Sequence, residues 1–203
     1  MARAQLLPVG SPTRHPVVYL PARRPPLTTS TTTDPVADDA VRSVGVLIQM
    51  AAGTGRAPTA LAAFDAALLA VGAGNFNLVR LSSVIPLGSD LTHPKRIESC
   101  AEWGDRLFCV YAEAHADVPG RGAAAGVGWV VKDDGSGGGL MVEHHADTEE
   151  EVAHQIRVSL GAMTSARGGR FGPPQMRLAS ATCGTEPVCA LVLAAYSTSG
   201  WGQ

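Results

Sequence analysis

The chain has few of the features that mark membrane, nucleic-acid-binding or zinc proteins. Its 203 residues include no run of 18 apolar residues, so no membrane-spanning segment is predicted. Aromatic residues make up only 5% of the chain and are not interleaved with a basic tract, which argues against nucleic acid as a partner. The four cysteines form no C-x-x-C pair, so neither a zinc site nor a redox dithiol is indicated. We expect reduced thiols and a cytoplasmic protein.

Signatures of nucleotide-binding and hydrolytic enzymes are also missing. The glycines at residues 72–75 and 137–139 lie in no G-x-G-x-x-G or P-loop pattern. Ser83 does not stand in a G-x-S-x-G nucleophile elbow. His144 and His145 are adjacent in a predicted strand and would face opposite ways, so we expect no metal site. Hydrophobic residues at 45% and charged residues at 17% nevertheless indicate a globular protein.

The N-terminal segment, residues 1–42, differs in composition from the rest of the chain. It is rich in proline, arginine and threonine. Proline blocks regular backbone pairing, and a segment of this composition can bury little apolar surface. We therefore predict a disordered extension over residues 1–42 and one folded domain over residues 43–203, within the usual size range of a domain.

The first part of this domain predicts a strand and a helix. The sequence VGVLIQMA (44–51) indicates a buried strand, and GTGR (53–56) indicates a turn. The run ALAAFDAALLAV (60–71) predicts a helix with Thr59 as its N-cap and Gly72 as its terminating glycine. The apolar residues of this helix recur at helical spacing, at Leu61, Phe64, Leu68 and Val71.

The remainder of the chain predicts mainly strands. A second helix is predicted at residues 148–166, with Asp147 and Glu150 as a start that resembles a capping box. A loop is expected at residues 86–105. The order β-α-β-β-β-β-α-β-β favours a layered α+β fold with largely antiparallel or mixed sheets. The predicted strands are residues 77–85, 106–115, 124–132, 140–145, 176–183 and 188–197.

Asp65 is an unusual residue in the first helix. It is the only charged residue between Arg56 and Arg80, and it lies on or beside the apolar face of the helix. A carboxylate in such a place is costly unless a partner compensates its charge. One interpretation is a salt bridge to a local arginine such as Arg80. The other is a receptor for a cationic ligand group, because a carboxylate accepts a guanidinium through two parallel hydrogen bonds.

Glu143 is a second carboxylate in an apolar setting. It lies within the predicted strand LMVEHH, where alternation puts it on the same face as Met141 and opposite Val142. Desolvation raises the pKa of a carboxyl group, which suits a general acid. A glutamate that faces water at the edge of a sheet is the alternative.

The adjacent pair Ser82 and Ser83 interrupts an otherwise apolar predicted strand. Most such pairs are ordinary loop or strand residues. A serine hydroxyl beside the preceding peptide carbonyl can, however, attack it and convert the peptide into an ester. Elimination and hydration then turn that serine into a pyruvoyl group, and a strained turn would assist the first step.

The segment FDAALLAVGAGNFNLVRLSSVIP (64–86) resembles the processing region of the pyruvoyl-dependent arginine decarboxylases. The segments YAEAHADVPGRGAAAGVGWVV, GGLMVEHHADTEEEVAHQIRVSLGAM and CALVLAAYS are similar to later parts of that family, so the resemblance runs from Val44 to Tyr196. The chain departs from the family pattern in Leu87 and in the residues after Glu143. The matching positions of the first segment are Phe64, Asp65, Ala67, Leu68, Gly72, Gly74, Asn77, Leu78, Arg80, Ser82, Ser83 and Pro86.

The resemblance implies a self-cleaving proenzyme. Cleavage between Ser82 and Ser83 would give a β chain of residues 1–82 and an α chain of residues 83–203. The new α-chain terminus would carry the pyruvoyl group, which does the work of pyridoxal phosphate by forming a Schiff base with L-arginine and releasing agmatine and CO2. The family fold is an αββα sandwich assembled as a trimer or a dimer of trimers, with active sites shared between neighbouring subunits.

The resemblance also implies a role for each site residue. Glu143 matches the proton donor, and Asp65 matches the carboxylate that binds the guanidinium. Asn77 matches an asparagine that assists self-cleavage. Leu61 and Val84 fall where the family lines its substrate pocket. No metal is implied.

Three other functions remain open from the sequence. The same chemistry could act on another amino acid, such as lysine, which is a compact point charge without bidentate geometry. An unprocessed homologue could serve as a structural or partner subunit. A serine hydrolase with Ser83 as nucleophile is less favoured, because the chain has neither its motif nor a histidine base near in sequence.

Overall fold

The computed structural model describes residues 45–202, so the extension predicted for residues 1–42 and its boundary with the domain lie outside the described residues. The described part is a mixed α+β structure with two helices and two sheets, which confirms the predicted class. Neither helix is long and apolar enough to cross a membrane. In chain order the elements are β1 Leu47–Arg56, α1 Ala60–Val71, β2 Asn77–Arg80, β3 Val84–Ile85, β4 Asp90–Thr92, β5 Arg106–Ala116, β6 Gly122–Val131, β7 Gly139–Ala146, α2 Glu149–Arg167, β8 Gln175–Thr182 and β9 Val188–Ser199.

The strands form one five-stranded and one four-stranded sheet, called here the first and the second sheet. The first sheet has the order β2-β5-β9-β1-β4, and the second has the order β3-β7-β6-β8. β1 pairs with β4 and β2 pairs with β5 in parallel, whereas the other pairs are antiparallel. The prediction of largely antiparallel or mixed sheets is therefore confirmed.

Three apolar clusters show how the layers follow one another. The central cluster lies between the two sheets and includes Val110 from β5 and Met141 from β7. A second cluster lies between α1 and the first sheet, and a third lies between α2 and the second sheet. Met141 belongs to the central cluster and Val142 to the α2 cluster, so the two faces of β7 alternate as predicted.

The predicted limits of α1 are confirmed, but its buried face is only partly as predicted. The Thr59 hydroxyl accepts a hydrogen bond from the Ala62 amide at 3.2 Å, and Gly72 closes the helix with φ of +83°. The buried residues are Ala63, Ala67, Leu68 and Val71. Leu61 is 78% exposed, so small alanines rather than this leucine bring the helix onto the sheet.

The turn predicted at residues 53–56 is wrong, because β1 continues through these residues to Arg56. The two glycines serve the packing of α1 instead. A Cβ atom on Gly55 would lie 2.0 Å from the Ala63 carbonyl oxygen, and one on Gly53 would lie 2.9 Å from the Val71 side chain. Glycine at these positions lets the helix approach the strand closely.

The predicted start of α2 needs a similar correction. Thr148, not Asp147, is the N-cap, and its hydroxyl accepts a hydrogen bond from the Glu151 amide at 3.3 Å. Asp147 instead forms a salt bridge with Arg121 at 2.7 Å. The N-cap and its partner three residues later are thus shifted by one residue from the predicted pair Asp147 and Glu150.

The single strand predicted at residues 77–85 is in fact two strands in different sheets. β2 belongs to the first sheet and β3 to the second. Residues 81–83 between them carry the chain from one sheet to the other. The predicted loop at residues 86–105 also contains the short strand β4. The crossing puts the Ser82–Ser83 peptide bond between the two sheets.

Candidate active site at the Ser82–Ser83 crossing

The crossing is held by backbone hydrogen bonds on both sides of the Ser82–Ser83 bond. Upstream, the Leu81 amide donates to the Cys109 carbonyl at 2.9 Å; downstream, the Met141 amide donates to the Ser83 carbonyl at 2.8 Å. Ser83 has φ of +67° and is the only non-glycine residue among residues 45–202 with a positive φ. A serine in the left-handed region is strained, and here the strain is stored next to the bond of interest.

Ser83 and Glu143 come together at this point. The Ser83 hydroxyl donates to the Glu143 Oε1 atom at 2.5 Å, and Ser83 is only 8% exposed. Burial raises the pKa of Glu143 above its ordinary value, while the hydrogen bond from Ser83 and the positive charge of Arg80 oppose that shift. Glu143 is therefore a partly buried carboxyl group in contact with the candidate cofactor precursor.

A cavity of about 550 Å³ opens beside this pair. It lies where β5 and β7 extend beyond their short edge partners. β2 pairs with β5 only as far as Cys109, and β3 pairs with β7 only at Gly139 and Leu140. The volume is sufficient for an amino acid and water. The lining residues are Arg80, Tyr111, Ala112, Glu113, Ala114, His115, Glu143 and His145.

Arg80 is fixed on one wall of the cavity. Its guanidinium lies 4.0 Å from the centre of the Tyr111 ring, and one of its nitrogens donates to the Tyr111 carbonyl at 2.6 Å. The Phe64 ring of α1 in turn lies 6.3 Å from the Tyr111 ring. Among the described residues Arg80 forms no salt bridge with Asp65, so that interpretation is wrong.

The residues predicted to bind substrate are all on the surface of the chain. Asp65 is exposed, and its carboxylate forms no side-chain hydrogen bond or ion pair with any residue of the described part. Leu61 is 78% exposed and Val84 is 53% exposed. None of the three lines the cavity beside Glu143. A single chain thus brings together Ser83 and Glu143 but leaves Asp65 and Leu61 apart from them.

Asn77 also lies apart from the Ser83–Glu143 pair. Its side-chain amide donates to the Gly104 carbonyl at 2.6 Å, at the start of β2. Arg80 ends the same strand three residues later, which is about 10 Å away at the usual rise of a strand. Asn77 therefore contacts the loop before β5 and not the two serines.

The two adjacent histidines have different surroundings, as predicted from their alternation. The His144 ring is 2.8 Å from the Ser159 hydroxyl of α2, and burial lowers its pKa. His145 lines the cavity, two residues beyond Glu143 on the same face of β7. Within residues 45–202, no three His, Cys, Asp or Glu side chains are grouped so that they could hold a metal ion.

Several residues of the cavity were not singled out from the sequence. The period of two in β7 could have identified His145 from Glu143. Tyr111, Glu113 and His115 share one face of β5 by the same rule, but their proximity to β7 depends on the packing of two sheets. No local pattern in the sequence indicates that contact.

Comparisons with known proteins point to one family. A family model described as pyruvoyl-dependent arginine decarboxylase matches residues 47–199. A protein of that name from Halobacterium salinarum is 33% identical over 153 residues, which cover 75% of this chain and 94% of that protein. A second, from Thermococcus kodakarensis, is 33% identical over 144 residues, which cover 70% of this chain and 88% of that protein.

The chain belongs to the pyruvoyl-dependent arginine decarboxylase family. The resemblance stated from residues 64–86 is thereby confirmed. A solved structure of a pyruvoyl-dependent histidine decarboxylase has 14% sequence identity and a TM-score of 0.34, and covers 46% of this chain and 51% of that one. A likeness of that size is too low to establish a shared fold.

Membership of the pyruvoyl-dependent arginine decarboxylase family gives the Ser83 geometry a chemical meaning. A pyruvoyl group must be made from a residue of the chain, and the described part holds a strained serine beside a partly buried carboxyl group. The residues present therefore fit the cofactor that the family name requires.

All four cysteines are free, and burial raises the pKa of Cys109 and Cys189 to about 12, so neither is suited to serve as a nucleophile.

Proposed function

We propose that this chain is a pyruvoyl-dependent carboxy-lyase that converts L-arginine into agmatine and CO2. The single observation that carries the proposal is the contact between Ser83 and Glu143 within a chain of this family. The contact joins a strained serine to a carboxyl group whose pKa is raised by burial. A cofactor precursor and a proton donor are the two groups that such an enzyme needs most.

The proposed cleavage breaks the Ser82–Ser83 peptide bond without an external reagent other than water. The Ser83 Oγ atom attacks the Ser82 carbonyl carbon, so that an ester replaces the peptide bond and the Ser83 nitrogen becomes an amine. Loss of the Ser83 α-proton then breaks its Cβ–Oγ bond and releases Ser82 as a carboxylate. The unsaturated residue that is left tautomerises, takes up water and loses ammonia, which leaves a ketone. Nothing is oxidised by an outside reagent.

The strain at Ser83 favours this conversion. Before cleavage the residue is held with φ of +67° between hydrogen bonds in both sheets. After cleavage residue 83 has no backbone nitrogen, so the left-handed torsion no longer exists. Relief of a strained torsion of this kind is worth about 1–3 kcal/mol. The β chain would be residues 1–82 and the α chain residues 83–203.

Once formed at residue 83, the pyruvoyl group would supply a carbonyl that condenses with the substrate amine and accepts the electrons released as CO2 leaves. The Met141 amide donates to the Ser83 carbonyl at 2.8 Å, and that carbonyl stays attached to the new ketone. A hydrogen-bond donor at this carbonyl stabilises the negative charge that develops beside it during the reaction. Glu143 delivers the proton that replaces CO2, since its raised pKa keeps it protonated at a higher pH than an ordinary glutamate.

We propose that Asp65, Leu61 and Asn77 act at the active site of a neighbouring subunit. Asp65 would bind the guanidinium by two parallel hydrogen bonds, and Leu61 with Val84 would cover its apolar stem. Support comes from the unpaired carboxylate of Asp65 and from the exposure of the two apolar side chains. We propose that the protein forms a trimer or a dimer of trimers in which these residues approach Ser83 of the next chain. We also propose that it is a cytoplasmic protein.

The intact mass of the purified protein tests the proposal. The wild-type chain should give two fragments that end at Ser82 and begin at residue 83, the second with a ketone in place of its amine. Ser83→Ala should give one intact chain. A wild-type chain that stays whole, or a Ser83→Ala chain that is still cut, would exclude self-cleavage at this bond.

Release of CO2 from arginine, lysine, ornithine and aspartate tests the substrate. We expect arginine to be preferred, because only its guanidinium uses both oxygens of a carboxylate at once. Equal rates with lysine would exclude the bidentate contact at Asp65. These assays need the cleaved protein, so the mass measurement comes first.

A further inference from the structure

Tyr196 is a buried titratable residue beside the Ser83 crossing that has no role so far. It lies on β9 in the cluster between the two sheets and is 9% exposed. Its hydroxyl donates to the Val84 carbonyl at 3.3 Å and also lies 3.5 Å from the Met141 sulfur atom. Both neighbours flank the candidate active site, since Val84 follows Ser83 and Met141 holds the Ser83 carbonyl.

The Val84 carbonyl has no partner within its own sheet. β3 is the edge strand of the second sheet, and neighbouring carbonyls of a strand point in opposite directions. The Ser83 carbonyl points to β7, where the Met141 amide binds it. The Val84 carbonyl therefore points away from β7, and the Tyr196 hydroxyl from the other sheet meets it there.

A hydroxyl in this apolar cluster needs such a partner. Phenylalanine would fill the same space, and a buried hydroxyl costs free energy unless it is hydrogen-bonded. Burial, and next the negative charge of Glu143, raises the pKa of Tyr196 well above its ordinary value. The hydroxyl thus stays protonated at neutral pH and can donate its hydrogen bond there.

We propose that Tyr196 is a positioning residue for self-cleavage, which holds the peptide after Ser83 and so keeps Ser83 in its strained conformation. The inference rests on the proposed function. The crossing is anchored upstream by the Cys109 carbonyl and downstream by the Met141 amide. Tyr196 adds a third anchor that comes from the opposite sheet, so Val84 cannot turn to relieve the left-handed torsion of Ser83.

The test is the rate of self-cleavage of Tyr196→Phe. Each chain is made by pulse-labelled cell-free synthesis, and the uncut fraction is followed on denaturing gels. Loss of one hydrogen bond should slow cleavage by about fivefold to tenfold. Leu193→Val is the matched control, because Leu193 lies on the same strand in the α1 cluster, away from Val84. It should lose thermal stability and cleave at the wild-type rate.

A second readout follows the hydrogen bond itself in chains that cannot be cut. With 13C-carbonyl valine in the Ser83→Ala background, Tyr196→Phe should shift the Val84 carbonyl resonance, and Leu193→Val should leave it in place. A wild-type cleavage rate in Tyr196→Phe overturns the proposal, as does equal slowing in Leu193→Val or an unmoved Val84 resonance. A wild-type chain that stays whole would instead defeat the proposed function, and the resonance test would remain valid because it needs no cleavage.

Discussion

The Ser83 hydroxyl donates a hydrogen bond to Glu143 at 2.5 Å, although the two residues are 60 positions apart in the chain. The contact exists because the chain leaves the first sheet after β2 and pairs with β7 of the second sheet as β3. If Ser83 is converted as proposed, Glu143 would contact this residue before cleavage and the group derived from it afterwards. One carboxyl group would then serve the reacting residue in both states of the protein.

Glu143→Gln should separate cleavage from decarboxylation. Glutamine keeps an oxygen that can accept the Ser83 hydrogen bond, so two fragments should still form. It has no acidic proton to give, and loss of a general acid typically costs about a hundredfold or more in kcat. Fragment masses and CO2 release, measured on the same sample, check both halves. Normal turnover by the cleaved variant would show that another group is the proton donor.

Much of the local structure was predictable from the sequence. The helix at residues 60–71 follows from its apolar spacing, its threonine cap and its terminating glycine. Glu143 could be assigned to the inner face of its strand because a strand alternates with a period of two. These features depend on neighbours within a few positions, which is the range that a sequence pattern reports.

The features that were missed depend on contacts between distant residues. Residues 77–85 have the apolar character of one strand, and nothing within them shows that Leu81 and Val84 belong to different sheets. Gly53 and Gly55 resemble turn residues until the helix that packs on them is known. The cavity between β5 and β7 likewise arises from the packing of two sheets.

The raised pKa of Glu143 predicts a pH-dependent loss of stability in the uncut chain. A carboxyl group whose pKa is higher in the folded than in the unfolded state stabilises the fold below its unfolded pKa. That stability is lost as the pH rises through the folded pKa, because a partly buried group must then become charged. Ser83→Ala should show this trend and Ser83→Ala with Glu143→Gln should not.

Differential scanning calorimetry of these two uncut variants gives the comparison. Their difference in Tm should be smallest near pH 4 and should grow toward pH 8 in favour of the glutamine variant. Other titrating groups are the same in both chains and cancel. A constant difference across this range would mean that the pKa of Glu143 is not raised by burial.

Asp65 should act on a site that contains Ser83 of another subunit. Asp65→Asn removes the charge that pairs with the guanidinium, and the KM for arginine should rise by about tenfold to a hundredfold, the usual value of a hydrogen bond to a charged group. Cleavage should be unaffected, since Asp65 contacts neither Ser82 nor Ser83 of its own chain and its proposed partner is the substrate. A normal KM would exclude Asp65 as the guanidinium receptor.

Co-expression of two defective chains tests whether the site is shared. Asp65→Asn supplies residue 83 as a cofactor, and Ser83→Ala supplies an intact Asp65. Mixed oligomers should be more active than either parent at low arginine concentration. Asp65→Asn mixed with the double variant Asp65→Asn, Ser83→Ala should gain nothing, because no chain then carries Asp65. Equal activity of the two mixtures would place both groups within one subunit.

Gly55→Ala should destabilise the fold, because the added Cβ atom would lie 2.0 Å from the Ala63 carbonyl oxygen and 2.4 Å from the Ala67 amide nitrogen. Both atoms are backbone of α1 and cannot move without moving the helix. Overpacking of this kind costs about 1–3 kcal/mol in free energy of unfolding.

Gly161→Ala is the matched control, since nothing lies within 4 Å of its added Cβ in the interior of α2. That change should stabilise the helix by about 1 kcal/mol. Urea denaturation of both variants in the uncut Ser83→Ala background gives the two values, and a Gly55→Ala chain as stable as its parent would mean that β1 and α1 are further apart than described.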